Sequence, residues 1–211
     1  MKLPRIYPIL DTRSLAAKGC DAETAAAAWL DGGAQILQLR HKGTWDRPVF
    51  EQAERIAESC RAHHALFVVN DRADVAKLVG AGLHVGQDDL APDRARGLLG
   101  PDALLGYSTH NPDQVDAAVC APVNYVAIGP IYSTASKQHP DPLVGLEQLK
   151  NCRSRCSRPL VAIGGVTRET AAAVFAAGAD AVAIINDLLP ENCTGVNLRR
   201  RMEEWQQLAQ M

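Results

Sequence analysis

Short runs of β-branched and aliphatic residues alternate with alanine-rich stretches of helical period along the whole chain. The apolar runs predict strands at RIYPILD (5–11), QILQLR (35–40), ALFVVN (65–70), GLHVG (82–86), ALLGYS (103–108), YVAIGP (125–130), PLVAIGG (159–165) and AVAII (181–185). Several are apolar at nearly every position instead of alternating, the pattern of strands covered on both faces. Between them the 3.6-residue period predicts helices over 22–33, 46–63, 72–82, 92–99, 111–120, 143–152, 167–178 and 197–210. Asp46 with Pro48 marks one helix start, and the pair Gly32-Gly33 marks one helix end. Eight strands, each followed by a helix, predict a closed parallel (β/α)8 barrel, a TIM barrel. An open doubly wound sheet uses similar units, so the count of eight is what decides for the barrel. No linker-like tract or charge block interrupts the alternation, so residues 1–211 read as one domain, with one longer connection, IYSTASKQHPDPLVG (131–145).

Composition narrows the function classes. With 211 residues, 47% hydrophobic and 22% charged, the chain can bury a sizeable core and is not of disordered composition. A formal net charge of -2 provides no field to draw nucleic acid or an anionic membrane, so an anionic ligand must be met by local cations. The N-terminal MKLPRIYPILDTR is broken by prolines and charge and reads as neither signal peptide nor anchor; no apolar run is long enough to span a bilayer. The six cysteines, at 20, 60, 120, 152, 156 and 193, read as the reduced thiols of a cytoplasmic protein. Cys152 and Cys156 lie close in sequence, but a zinc site needs about four ligands and no second pair follows.

In a barrel of this kind the active site lies at the C-terminal ends of the strands. Those ends are rich in cations, carboxylates and glycines, and the chain contains no Gly-x-Ser-x-Gly, no His-Glu-x-x-His and no P-loop. Gln38, Arg40 and Lys42 alternate at one strand end, which places an amide and two cations on one side; the alternative is that Arg40 and Lys42 are solvated loop charges. Asp71 and Asp89 follow adjacent strands, where their carboxylates could converge on Mg²⁺, an ion that takes one or two carboxylates plus phosphate oxygens and water. The competing account is that Asp71 caps a helix starting at Arg72 and that Asp88-Asp89 cap the helix after Leu90. Thr134, Ser136 and Lys137 after strand six have the chemistry of a phosphate clamp. Gly164-Gly165 precedes a helix expected to start near Thr167, where backbone N–H groups can meet an oxyanion. His84 inside strand four reads as a satisfied core or barrel-lining residue before a catalytic one, and His110 as a cap of the next helix or a neighbour of the site. His41, His63, His64 and His139 carry no pattern. From the residues alone, this is a barrel enzyme with two anion subsites and Mg²⁺, acting on phosphorylated substrates.

The segments QLRHK, NDRADVAKLVGAGLHVGQDDL, GYSTHN, YVAIGPIYSTASK and AIGGVTRETAAAVFAAGADAVAII occur in the order of the signature segments of the thiamine-phosphate synthase family, and the chain resembles that family over roughly residues 5 to 190. The resemblance implies a transferase of thiamine biosynthesis that joins 4-amino-2-methyl-5-hydroxymethylpyrimidine diphosphate to a thiazole phosphate, or its carboxylated form, and releases pyrophosphate. It implies that Gln38, Arg40, Lys42, Asn70, Ser108 and Lys137 meet the pyrimidine diphosphate, with Arg40, Lys42, Ser108 and Lys137 catalytic. Asp71 and Asp89 would bind Mg²⁺, and Thr134, Ser136, Gly165, Ile185 and Asn186 would hold the thiazole phosphate. The partners are then small molecules, and barrel relatives are often homodimers. The family usually has threonine where Ser136 stands and serine where Asn186 stands, and glutamate is frequent at His41. Two rival functions remain: a thiazole tautomerase of the same fold, and a non-catalytic binding protein of the thiamine pathway.

Overall fold

Eight parallel strands hydrogen-bond in chain order and close on themselves, in a computed structural model that describes residues 2–134 and 142–209. They are β1 (Ile6–Asp11), β2 (Ile36–Arg40), β3 (Leu66–Asn70), β4 (Gly82–Val85), β5 (Leu105–Thr109), β6 (Tyr125–Ile128), β7 (Leu160–Ile163) and β8 (Ala181–Ile184). Closure is made by β8 against β1, with Ile6 beside Val182 and Pro8 beside Ile184. The expected TIM barrel is therefore the observed fold. The strands are a little shorter than the apolar runs. β7 stops at Ile163 because Gly164 and Gly165 take φ of +98° and +65°, outside the extended region.

The helices between them are α1 (Thr12–Ala17), α2 (Ala22–Asp31), α3 (Arg47–Ala62), α4 (Ala73–Val79), α5 (Pro92–Leu99), α6 (Pro112–Cys120), α7 (Gly145–Arg155), α8 (Ala171–Ala176) and α9 (Gly195–Ala209). Local chemistry explains their starts. The carboxylates of Asp21 and Asp46 accept from Thr24 N (2.8 Å) and Val49 N (3.2 Å), and the Asn111 side chain accepts from Gln114 N (2.9 Å). Two features differ from the sequence expectation. The six-residue α1 was not expected: it buries Leu15 alone, so it has no apolar period, and Asp11 starts it by accepting from Ser14 N. The helix expected near Thr167 begins at Ala171, because the Thr170 hydroxyl accepts from Thr167 N (2.9 Å) and holds a turn there. Among the described residues no helix is long and apolar enough to cross a membrane.

The strand pleat sorts the core into two. Outward residues such as Leu10, Leu37, Leu39, Val69 and Val126 pack under the helices with Trp29 and Trp205. Inward residues, including Tyr7, Ile9, Ile36, Val68, Tyr125, Val161 and Ala183, fill the barrel. Gly106 on β5 faces Tyr125 on β6, its register partner, and a Cβ there would lie 2.0 Å from the tyrosine Cζ. Gly106→Ala should therefore destabilise the barrel by about 3 kcal/mol, seen as a melting temperature lower by roughly 6–12 °C. Replacing Tyr125 by leucine in the same chain should restore part of the loss; a single variant that melts with the wild type would show that the two residues do not oppose each other.

Candidate functional site

The inward-facing side chains become polar toward the C-terminal ends of the strands. Gln38, Asn70 and His84 are all buried there, and above them opens a cleft of about 760 Å³. Every expected site residue within the described part of the chain lines it: Gln38 and Arg40 from β2, Lys42 just beyond, Asn70 at the end of β3 and Asp71 after it, Asp89 after β4, Ser108 on β5, Thr134 after β6, Gly165 after β7, and Ile185-Asn186 after β8. Ser136 and Lys137 lie outside the described residues.

On the β1–β4 side each cation has a carboxylate. Arg40 is the register partner of Asp11 and pairs with its Oδ2, while Asp11 Oδ1 takes the α1 cap; Asp11 is 3% exposed, so the pair aims Arg40 from a rigid base. Lys42 Nζ reaches Asp71 Oδ2 at 2.5 Å. Asp71 follows β3 in the left-handed region, φ 64°, and its backbone N–H donates to His84 O at 2.8 Å, which fixes the turn. Burial pushes the Asp71 carboxyl above the usual range; Lys42 opposes this, and the neighbouring Asp89 adds to it. Asp89 is itself held by Gly86 N, which donates to Oδ2 at 2.7 Å. The capping alternatives do not hold: α4 and α5 have Arg72 and Ala91 at their N-caps, with no side-chain cap in either. Two hard-oxygen ligands brought together against their own repulsion suit a divalent cation that completes its shell elsewhere, and no group of three or more such side chains occurs among the described residues. The Asn70 amide nitrogen is buried with no hydrogen-bond partner among the described residues, a donor left for a ligand.

The β6–β8 side is built from backbone. A Cβ on Gly165 would lie 2.5 Å from Ser133 O, so only glycine lets the loops after β6 and β7 meet. The chain then leaves β8 through a 3₁₀ turn, Asn186–Leu188, that the sequence reading did not include. Arg168 Nε holds Asp187 Oδ2 (3.0 Å) and also pairs with Glu204, while Arg201 donates to Asp187 O (2.6 Å). Burial raises the Asp187 carboxyl, and Arg168 works against that shift. This network from α9 and the loop before α8 fixes where Asn186 stands.

The other candidates separate cleanly. His110 is not a helix cap: Asn111 has that role, and His110 Nδ1 meets Gly129 O at 2.7 Å on the cleft wall. His41 turns away to Thr12 Oγ1 (2.9 Å) and the edge of Trp45. His139 lies outside the described residues. Cys152 and Cys156 are buried, and burial raises both thiols, which suits packing and not metal or redox work. Polar residues that escaped the sequence reading include Asp11 behind Arg40, and Tyr7 and Tyr125 inside the barrel. Their signal was present, since Tyr7 and Asp11 share the inward parity of Ile9, and Tyr125 that of Ala127.

Comparison with known proteins meets this geometry. The family model described as thiamine monophosphate synthase matches residues 6–188. The chain belongs to that family. A thiamine-phosphate synthase of Koribacter versatilis (strain Ellin345) is 44% identical over 211 residues, 99% of this chain and 97% of that protein. One from Gloeobacter violaceus is 44% identical over 158 residues, which are 74% of this chain but 46% of that longer protein. The solved thiamine phosphate pyrophosphorylase of Pyrococcus furiosus superposes with a TM-score of 0.84 at 28% identity, covering 98% of this chain and 95% of that one. Membership of the thiamine monophosphate synthase family makes the chain an enzyme, a transferase of thiamine biosynthesis.

Proposed function

We propose that the cleft joins the CH₂ carbon of the aminopyrimidine diphosphate to the ring nitrogen of the thiazole phosphate by a dissociative step. The C–O bond to the diphosphate breaks with its electron pair leaving on pyrophosphate, the aminopyrimidine ring delocalises the resulting cation, and the thiazole nitrogen lone pair forms the new C–N bond. No protein base is needed, which fits a chain with no Gly-x-Ser-x-Gly and no His-Glu-x-x-His. What the protein must supply is stabilisation of charge developing on the leaving group. Arg40 at the end of β2, aimed by Asp11, and Lys42 just beyond it supply this, with Lys137 as a third cation and Asn70 as a donor. Asp71 and Asp89 would hold Mg²⁺, and the ion when bound adds positive charge beside the diphosphate. Gln38 and Ser108 would contact the pyrimidine, and Thr134, Ser136, Gly165, Ile185 and Asn186 would hold the thiazole phosphate. We place the enzyme in the cytoplasm, with residues 1–211 as one catalytic unit; its unpaired cysteines support that placement.

The observation that carries this account is the meeting of Arg40 and Lys42 with Asn70, Asp71 and Asp89 on neighbouring strands. A tautomerase acting on the thiazole phosphate alone has no use for this second, cation-rich anion subsite. Incubation of the protein with both substrates and Mg²⁺ should release pyrophosphate, with release depending on the thiazole phosphate. Isomerised thiazole without pyrophosphate, or tight binding of both substrates without turnover, would falsify the synthase assignment.

A further inference from the structure

Along the floor of the cleft, an unbroken line of hydrogen bonds crosses the barrel from β2 to β5. Gln38 Nε2 donates to Tyr7 Oη at 3.0 Å, Tyr7 and Tyr125 hydroxyls are 2.8 Å apart, Tyr125 Oη is 2.9 Å from His84 Nδ1, and His84 Nε2 is 2.8 Å from Ser108 Oγ. The rings are held as firmly as the polar atoms. Tyr7 meets Tyr125 edge-on, and His84 stacks on Tyr125 with ring centres 5.5 Å apart. Tyr7 and Tyr125 are 1% and 0% exposed, and Gly106 supplies the space that Tyr125 occupies. All five residues border the cleft, with Gln38 and Ser108 at the two ends of the line.

We propose that His84 is a positioning residue for the pyrimidine half of the site, and that the line from Gln38 to Ser108 sets which of its two ends donates to the ligand and which accepts. This rests on the function proposed above. Proton counting gives the direction. Burial pushes both tyrosine hydroxyls up, so each keeps its single proton. Of the two groups bonded to Tyr7 Oη, Gln38 Nε2 can only donate, so the buried Tyr7 proton goes to Tyr125 Oη, and the proton of Tyr125 goes on to His84 Nδ1. Nδ1 is then the bare nitrogen, Nε2 carries the hydrogen, and it donates to Ser108 Oγ. Ser108 keeps its own proton for a ligand acceptor, and the amide oxygen is the group Gln38 keeps for a ligand donor. An aminopyrimidine presents both partners, ring-nitrogen acceptors and an amino N–H. As the CH₂ cation forms, positive charge spreads to that amino group, so an acceptor placed on it binds the transition state more tightly than the ground state.

Two measurements test this on the full chain. With ¹⁵N-labelled histidine, the His84 resonances, identified by their loss in His84→Gln, should show the neutral Nε2–H tautomer at neutral pH, and Tyr125→Phe should change them. An Nδ1–H tautomer or an imidazolium in the wild type would overturn the stated direction. In kinetics, Tyr125→Phe should lower kcat/KM for the pyrimidine diphosphate by about tenfold and leave KM for the thiazole phosphate within about twofold. Equal loss on both substrates, or no loss, would sink the positioning role. Tyr7→Phe breaks the same line one step away and should give the same split, so a poorly folding Tyr125→Phe does not block the test. The resonance experiment needs no turnover, so a protein that makes no pyrophosphate would reject the function proposed above while the tautomer still decides the direction of the line.

Discussion

Asp71→Asn should lose about 10³-fold in pyrophosphate release and keep its fold. Asparagine suits this position better than alanine, because φ at residue 71 is 64° and asparagine tolerates the left-handed region. The Asp71 carboxyl is raised mainly by burial, with Asp89 adding repulsion and Lys42 opposing both. A carboxyl whose folded pKa lies above its unfolded value of about 3.9 costs stability once pH exceeds the folded pKa, and that cost fades as pH falls toward the unfolded value. At neutral pH the amide removes this cost. The Lys42 pair lost with it is half exposed on the lysine side and contributes little. The ligand-free variant should thus melt at or slightly above the wild-type temperature. Mg²⁺ with pyrophosphate should raise the melting temperature of the wild type and leave that of Asp71→Asn unmoved. Wild-type turnover, or an unchanged thermal response to Mg²⁺ and pyrophosphate, would remove Asp71 from the metal assignment.

The barrel was legible because a parallel strand covered on both faces is apolar at nearly every position, so GLHV and YVAI stand out even at four residues. The cleft was legible because the strand-end rule places Arg40, Asp71 and Ser108 together once the strands are counted. What stayed hidden depended on pairings across the sheet. Asp11 closes the first apolar run and caps α1 with one oxygen; that its second oxygen holds Arg40 follows only from the β1–β2 register. Tyr7 and Tyr125 are 118 positions apart and become partners only when the barrel closes. The turn that delays α8 to Ala171 turns on one threonine hydroxyl, Thr170, within TRET, four residues any of which can enter a helix.

Under the proposed function Arg40 has two duties, and a pair of substitutions should separate them. Arg40→Met keeps the length and apolar stem but removes the charge proposed to stabilise the diphosphate, so turnover should fall at least about 10²-fold. It also strands Asp11, whose carboxylate is 3% exposed and loses its cationic partner. An uncompensated buried charge costs about 3 kcal/mol, which for a chain of this size is a fall in melting temperature of roughly 6–12 °C. Adding Asp11→Asn removes the stranded charge, and asparagine serves as an N-cap about as well as aspartate, so α1 keeps its start. The double variant should melt near the wild type and remain as inactive as Arg40→Met. Asp11→Asn alone, with Arg40 present but no longer drawn by a charge, should fold normally and lose about tenfold in turnover. If the double variant regains activity along with stability, Arg40 matters only for the fold, and the charge stabilisation assigned to it belongs to Lys42 and Lys137.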